Sequence, residues 1–219
     1  MPEEHIEIFT WKTEARLFTA NPEEAAIYYE WLLRLRARER PGEALADIGV
    51  VSVSAAVGLQ RGWIPQFRVD DVADAVARAS MAASAVHCHS TADDTWLIVD
   101  PAGAMVGIAP RTGNAGPGQR SDFTFDLSVI DAPAAEQFYT DWLGLRSLRV
   151  IDDLYGMRLL CDGTGVVAGI VELHTVAGLN RVPAWIIYFE VDSVEEHVAR
   201  AVQSGSRVRI PPDTSPFNR

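Results

Sequence analysis

Four short runs carry residues able to do chemistry at every second position. Thr124, Asp126 and Ser128 alternate with Phe125, Leu127 and Val129, and Tyr188 and Glu190 sit two apart in WIIYFEV. Residues two apart share one face of a strand. A carboxylate beside a phenol can move protons if burial raises its pKa. The other reading is a water-filled hollow whose polar groups bond one another. Glu172 and His174 in VELHT repeat the spacing, as an acid/base pair or as a solvated strand end. His87 and His89 flank Cys88, which sets two imidazoles about 7 Å apart on one strand face. They read as a metal site, an acid/base pair, or two half-exposed strand histidines.

Several chemistries are excluded at once. The sequence contains no GxSxG, HExxH or Walker pattern. GTGVVAG (163–169) imitates part of a phosphate loop, but no helix follows it, so it reads as a hairpin turn. The net charge of −11 opposes nucleic acid and anionic membrane surfaces as partners. The two cysteines, Cys88 and Cys161, have neither ligand spacing nor a disulfide framework, which points to a reducing cytoplasm. No apolar run approaches the length of a spanning helix, and the acidic start MPEEHIEIF lacks a signal-peptide core.

The elements that position these residues are written in duplicate. WIPQFRVDDVADAVARA (63–79) and WIIYFEVDSVEEHVARA (185–201) are offset by 122 positions and share ten of seventeen residues. Each is a strand that ends at an acidic residue, Asp70 or Asp192, and passes into an amphipathic helix. Asn21 to Tyr29 matches Asp131 to Tyr139 in the same way, at an offset of 110. Asn21 and Asp131 are expected helix caps, and Gly144 is an expected helix stop. The chain thus divides into residues 1–110, a Gly-rich linker at 111–120, and residues 121–219. In each half the order is strand, helix, three strands, then strand, helix and further strands. Continuing the 122 offset, Arg219 falls on Leu97, so the last strand has no counterpart in the second half. The open edge this leaves is one that proteins usually cover.

Paired βαβββ units with a D-P-x-G turn before the closing strand resemble the vicinal oxygen chelate superfamily of glyoxalases, bleomycin-resistance proteins and extradiol dioxygenases. The residues that carry the resemblance are FTANPEEAAIYYEWL (18–32), FRVDDVADAVARA (67–79), DPAGAMVGI (100–108), SVIDAPAAEQFYTDWLG (128–144) and FEVDSVEEHVARA (189–201). They are also similar to its two-domain, actinobacterial hydroxylase-like branch. The resemblance implies an α+β fold of tandem glyoxalase-like domains, the second without its last strand. It implies no single reaction, because the superfamily hosts many.

The resemblance further implies that the strands of each half line a cup, in which the metal enzymes of the family place His, Gln or Glu. Those positions fall here on Glu14, Ile64 and Gly107, and on Thr124 and Ile186. Glu172 falls on a fourth-strand position, and a final acidic ligand lies past Arg219. Ile64, Gly107 and Ile186 carry no donor atom, and a divalent ion needs three or more. The expectation is therefore no metal and no other cofactor. In the second cup Asp126, Tyr188 and Glu190 are the candidate catalytic groups, with Thr124, Ser128, Ile186, Glu172 and His174 as ligand contacts. In the first cup the contacts are Glu14, Arg16, Gln66, Arg68 and Trp96. The arginines there either hold an anion or pair internally with Glu14, and Trp96 is placed to stack on a flat ligand. The implied activity is metal-independent isomerase, cyclase or lyase chemistry on a small organic metabolite, of the secondary-metabolism kind. The alternatives are a protein that sequesters a drug-like compound and a non-catalytic interaction protein. The expected partner is a small molecule, and a homodimer is compatible with the pattern.

Overall fold

The computed structural model describes residues 13–33, 48–52, 62–90, 94–111, 123–150, 156–163, 165–172, 182–209 and 211–212, with 48–52 and 88–90 described at the backbone. The first half runs β1 (Thr13–Thr19), α1 (Pro22–Leu33), β2 (Ile48–Ser52), β3 (Gly62–Val69), α2 (Val72–Ala79), β4 (Ala85–Ser90), β5 (Thr95–Val99) and β6 (Met105–Pro110). The second runs β7 (Phe123–Val129), α3 (Ala132–Leu143), β8 (Arg146–Arg149), β9 (Arg158–Cys161), β10 (Val166–Glu172), β11 (Ala184–Phe189) and α4 (Val194–Gln203). The strands form a six-stranded sheet, β2-β1-β3-β6-β5-β4, and a five-stranded sheet, β11-β7-β10-β9-β8. These are the expected α+β units. Within each, the opening strand lies parallel to the closing one, as in β3 with β6 and β7 with β10. Two opening strands then meet antiparallel, β1 with β3 and β7 with β11. Among the described residues β11 ends its sheet, where the sequence places an open edge.

Three helices begin on short polar side chains that take up a free backbone N–H. Asp71 accepts from the Asp74 N–H and Asp131 from the Ala134 N–H, both at 2.9 Å, and Ser193 accepts from the Glu196 N–H at 3.2 Å. Asn21 behaves differently: its side-chain amide donates to the Glu24 carboxylate at 3.2 Å. Gly144 ends α3 at φ +67°, a left-handed conformation that glycine adopts without cost. No helix among the described residues is long and apolar enough to cross a membrane.

One apolar core joins the halves. It combines Phe67, Ile98, Val106 and Ile108 of the first sheet with Phe125, Leu127, Leu160 and Ile170 of the second. Side chains of α2 and α3 complete it. Two buried polar ties cross the same boundary. The Tyr139 hydroxyl on α3 donates to Asp100 Oδ2 in the turn before β6, at 2.9 Å. The Trp142 indole N–H donates to the Ala75 carbonyl on α2, also at 2.9 Å. Trp185 packs edge-on against Phe67, Phe125 and Tyr139, and Trp63 against Tyr29 and Phe189. Both tryptophans of the duplicated stretch therefore face this core, and the alternate residues face away from it.

Candidate functional site

The face of the first sheet that turns away from the core is largely filled. Phe18, Ile64, Leu97 and Met105 form a separate buried cluster there. Next to them Glu14 holds both arginines. It accepts from Arg68 Nε at 2.7 Å and from Arg68 Nη2 at 2.5 Å, and it forms a further ion pair with Arg16. Arg68 also donates to the Pro110 carbonyl at 2.9 Å. Gln66 is buried between Glu14 and Gly107 in register. The geometry is that of an internal ion pair, and these polar groups hold one another.

Trp96 does not line this face. It packs against the shared core, and its indole N–H donates to Asp94 at 2.9 Å. Leu97 takes the cup-side place, across from Gly107. TWLIV offers little alternation from which to choose a face, so parity alone misplaces the tryptophan. His87 is exposed on β4, and the side chains of Cys88 and His89 lie outside the described residues.

The second sheet differs. Its corresponding face carries Thr124, Asp126 and Ser128 on β7 and Ile186 and Tyr188 on β11, with Thr124 across from Tyr188 and Asp126 across from Ile186. Leu159, Cys161 and Val166 form its buried apolar cluster, with Met157 against them. The Tyr188 hydroxyl lies within reach of the Asp126 carboxylate, one row along. Burial first, then the Asp126 charge and its pull on the hydroxyl proton, push the phenol well above its ordinary range. The tyrosine still keeps 49% of its surface exposed, so this desolvation is partial and belongs to the hydroxyl's surroundings. The pair is thus a carboxylate acceptor beside a phenol held firmly protonated. Burial also raises the Cys161 thiol, which is inert as a nucleophile in that state.

Two expected groups lie away from the Asp126 row, and a third is not described. Glu190 lies past the end of β11, exposed, four residues from Ile186 and so about 13 Å along the strand from the Asp126 row. Glu172 is on the opposite face. It lies 3.6 Å from Arg158, which donates to Glu136 of α3 at 2.9 Å, making an ionic cluster between sheet and helix. The cause is an irregularity between Val166 and Ala168. Val166 faces the cup-side cluster, whereas Val167 and Ala168 both face the core, so counting in twos from Val166 puts Glu172 on the wrong face. His174 lies outside the described residues.

A cleft of about 370 Å³ lies elsewhere, between the halves, lined by Arg68, Asp70, Arg111, Leu143 and Asp162 among others. Arg111 pairs with Asp70 at 2.5 Å and Arg78 with Asp74 at 2.8 Å, while Asp71 caps α2. Neither Asp126 nor Tyr188 lines it.

Residues 123–219 match the family described as the Glyoxalase/Bleomycin resistance protein/Dioxygenase superfamily. The solved structure of 2,2',3-trihydroxybiphenyl 1,2-dioxygenase from dibenzofuran-degrading Sphingomonas wittichii is similar over 92% of this chain and 80% of its own, with a TM-score of 0.55 and 14% identity. That of BphC, a halotolerant catechol dioxygenase, is similar over 90% and 76%, with a TM-score of 0.55 and 13% identity. The family match thus lies in the second half, residues 123–219. At such identities the solved structures speak for the fold alone, which both halves share. No curated protein matches the sequence.

The metal positions of the superfamily can now be compared with what occupies them. Ile64 is 2% exposed inside the first cup's apolar cluster, and Gly107 has no side chain. Glu14 is engaged by two guanidinium groups. In the second cup Thr124 and Ile186 flank Asp126 and Tyr188 and add one hydroxyl between them. Among the described residues no three His, Cys, Asp or Glu side chains converge. These residues do not fit the superfamily's ion, which needs at least three converging donors.

The sequence also held a signal that strand parity passes over. Gly107 stands across from Gln66, and Gly169 across from Asp126. Gly169 reads as part of the GTGVVAG hairpin turn, yet it lies inside closing strand β10, as Gly107 lies inside β6.

Proposed function

We propose that the second cup is a metal-independent acid/base site acting on a small organic metabolite. The observation that carries the reading is the Asp126–Tyr188 pair, set on the cup-side face beside apolar Ile186, Leu159 and Met157. An ionised carboxylate there is a base, and the phenol beside it keeps its proton at neutral pH and is an acid. Asp126 would take a proton from a carbon next to a carbonyl. Tyr188 would donate a hydrogen bond to the developing oxyanion; return of the proton from Asp126 to a neighbouring carbon would complete an isomerisation, departure of a β-substituent with that proton an elimination, and attack of the enolate carbon on an electrophilic carbon of the same molecule, whose oxygen takes that proton, a cyclisation. Thr124 and Ser128 would orient the substrate, and Ile186 would cover its apolar part.

The second reading is sequestration without turnover. Tyr188 is 49% exposed on the last strand of its sheet, which suits an open groove better than a sealed chamber. Native mass spectrometry of the purified protein identifies a co-purifying compound, which is then incubated with wild type, Asp126→Asn and Tyr188→Phe. Conversion by wild type, lost in both variants while binding persists, supports the acid/base reading. Binding without conversion by wild type supports sequestration. Conversion by both variants removes the pair from the mechanism.

A further inference from the structure

We propose that Gly169 is the positioning residue of the second cup: its missing side chain is the space into which the Asp126 carboxylate folds to meet the Tyr188 hydroxyl. Gly169 pairs with Asp126 across the parallel strands β10 and β7. A methyl group at position 169 would overlap Asp126 Oδ1 and stand 3.1 Å from its Cγ. The next neighbour, Met157 Cε, is at an ordinary 3.6 Å. Gly169 is not among the glycines with positive φ, so the backbone does not require glycine there. What requires it is the carboxylate.

The other units repeat the device. Arg16, Gln66 and Asp126 each lie five residues before the residue preceding a helix (21 − 16, 71 − 66 and 131 − 126). Each faces a glycine of its parallel closing strand: Gly49, Gly107 and Gly169. Glycine makes up 16 of 219 residues, so three in three at one register is not a matter of composition. A side chain at Gly107 would crowd Gln66 Cβ and Cγ at 3.3 Å, the milder form of the same contact. The fourth such position is Tyr188, five before Ser193, and it is the group that Asp126 meets. At Gln66 and Asp126 the central inward side chain thus lies low on the sheet beside a bare strand.

The consequence for turnover rests on the acid/base reading above, whereas the contact itself does not. The test uses Gly169→Ala, Asp126→Ser and the double variant, with Tyr188→Phe to assign the phenol signal. Tyr188 titration is followed by NMR and stability by urea unfolding. A displaced carboxylate no longer opposes ionisation of the phenol, so Gly169→Ala should shift Tyr188 titration downward, toward the position seen in Asp126→Ser. In the double variant the alanine should add no further shift, and it should destabilise the Asp126→Ser protein less than it destabilises wild type. If Gly169→Ala alone does not fold, a folded double variant carries the same conclusion. A folded Gly169→Ala protein with an unmoved Tyr188 titration overturns the proposal. So does an alanine equally damaging in both backgrounds. Neither readout involves a substrate, so the acid/base reading can fail while this contact stands.

Discussion

Tyr139→Phe removes one hydroxyl and keeps the ring, which isolates the polar tie between the halves. Tyr139 is fully buried and Asp100 is 1% exposed, so water cannot replace the lost donor. The ring contacts to Phe138, Trp142 and Trp185, at 5.0, 5.9 and 5.6 Å between centroids, remain available to phenylalanine. A hydrogen bond to a charged group contributes about 1.5–3 kcal/mol. Asp100 keeps the Ala104 N–H at 2.8 Å, so we expect a loss of about 2 kcal/mol. For a chain of this size that lowers Tm by about 4–8 °C. The cost should also depend on pH. Burial already raises the Asp100 carboxyl, against the hydrogen bonds from the turn and from Tyr139. Without Tyr139's hydroxyl it rises further, the group protonates sooner, and the penalty shrinks in mild acid. Urea unfolding of both proteins at neutral and mildly acidic pH reads both effects. A neutral-pH cost under about 0.5 kcal/mol, or the same cost at both pH values, would refute the reasoning.

The remaining expectations are simpler. Glu14→Gln leaves Arg16 and Arg68 without their carboxylate. The side chains are 11–23% exposed, so the about 3–5 kcal/mol of a fully buried pair falls to about 2 kcal/mol, measured by urea unfolding. A loss within error would mean that solvent already screens the arginines. Asp100→Asn removes a titration whose folded-state pKa lies above the ordinary 3.8. The stability that protonation provides is present below that value and is lost as pH rises through the folded pKa. Wild type should therefore lose ground against Asp100→Asn across that window. A constant difference between the two proteins would contradict the assignment.

Much of the architecture is legible because it is written more than once. The 63–79 and 185–201 stretches announce strand and helix, and of the two expected caps Asp131 accepts from its helix while Asn21 does not; Asp71 and Ser193, not among the expected caps, cap the other two helices. Period-two alternation also places Asp126 and Tyr188 on one face, because Phe125, Leu127 and Ile187 alternate with them. Legibility fails where alternation does. TWLIV is nearly all apolar, and only its pairing with β6 decides that Leu97, not Trp96, faces the cup. VVAGIVE contains an irregularity that no local preference announces, and it turns Glu172 to the helix side. Gly107 and Gly169 are visible as letters, but their meaning depends on which residue lies across the parallel pair, a non-local fact. Glu190 shares the parity of Tyr188 but lies past the end of β11, four residues beyond the Asp126 row, because parity fixes a face and not a distance along it.

The central claim is that this protein works, or binds, without a metal ion in either cup. Elemental analysis of protein purified without chelators or affinity metals tests it most directly. The account predicts Zn, Fe, Mn and Ni each well below one ion per chain. One equivalent of any of them, lost on chelation and recovered on readdition, would contradict it.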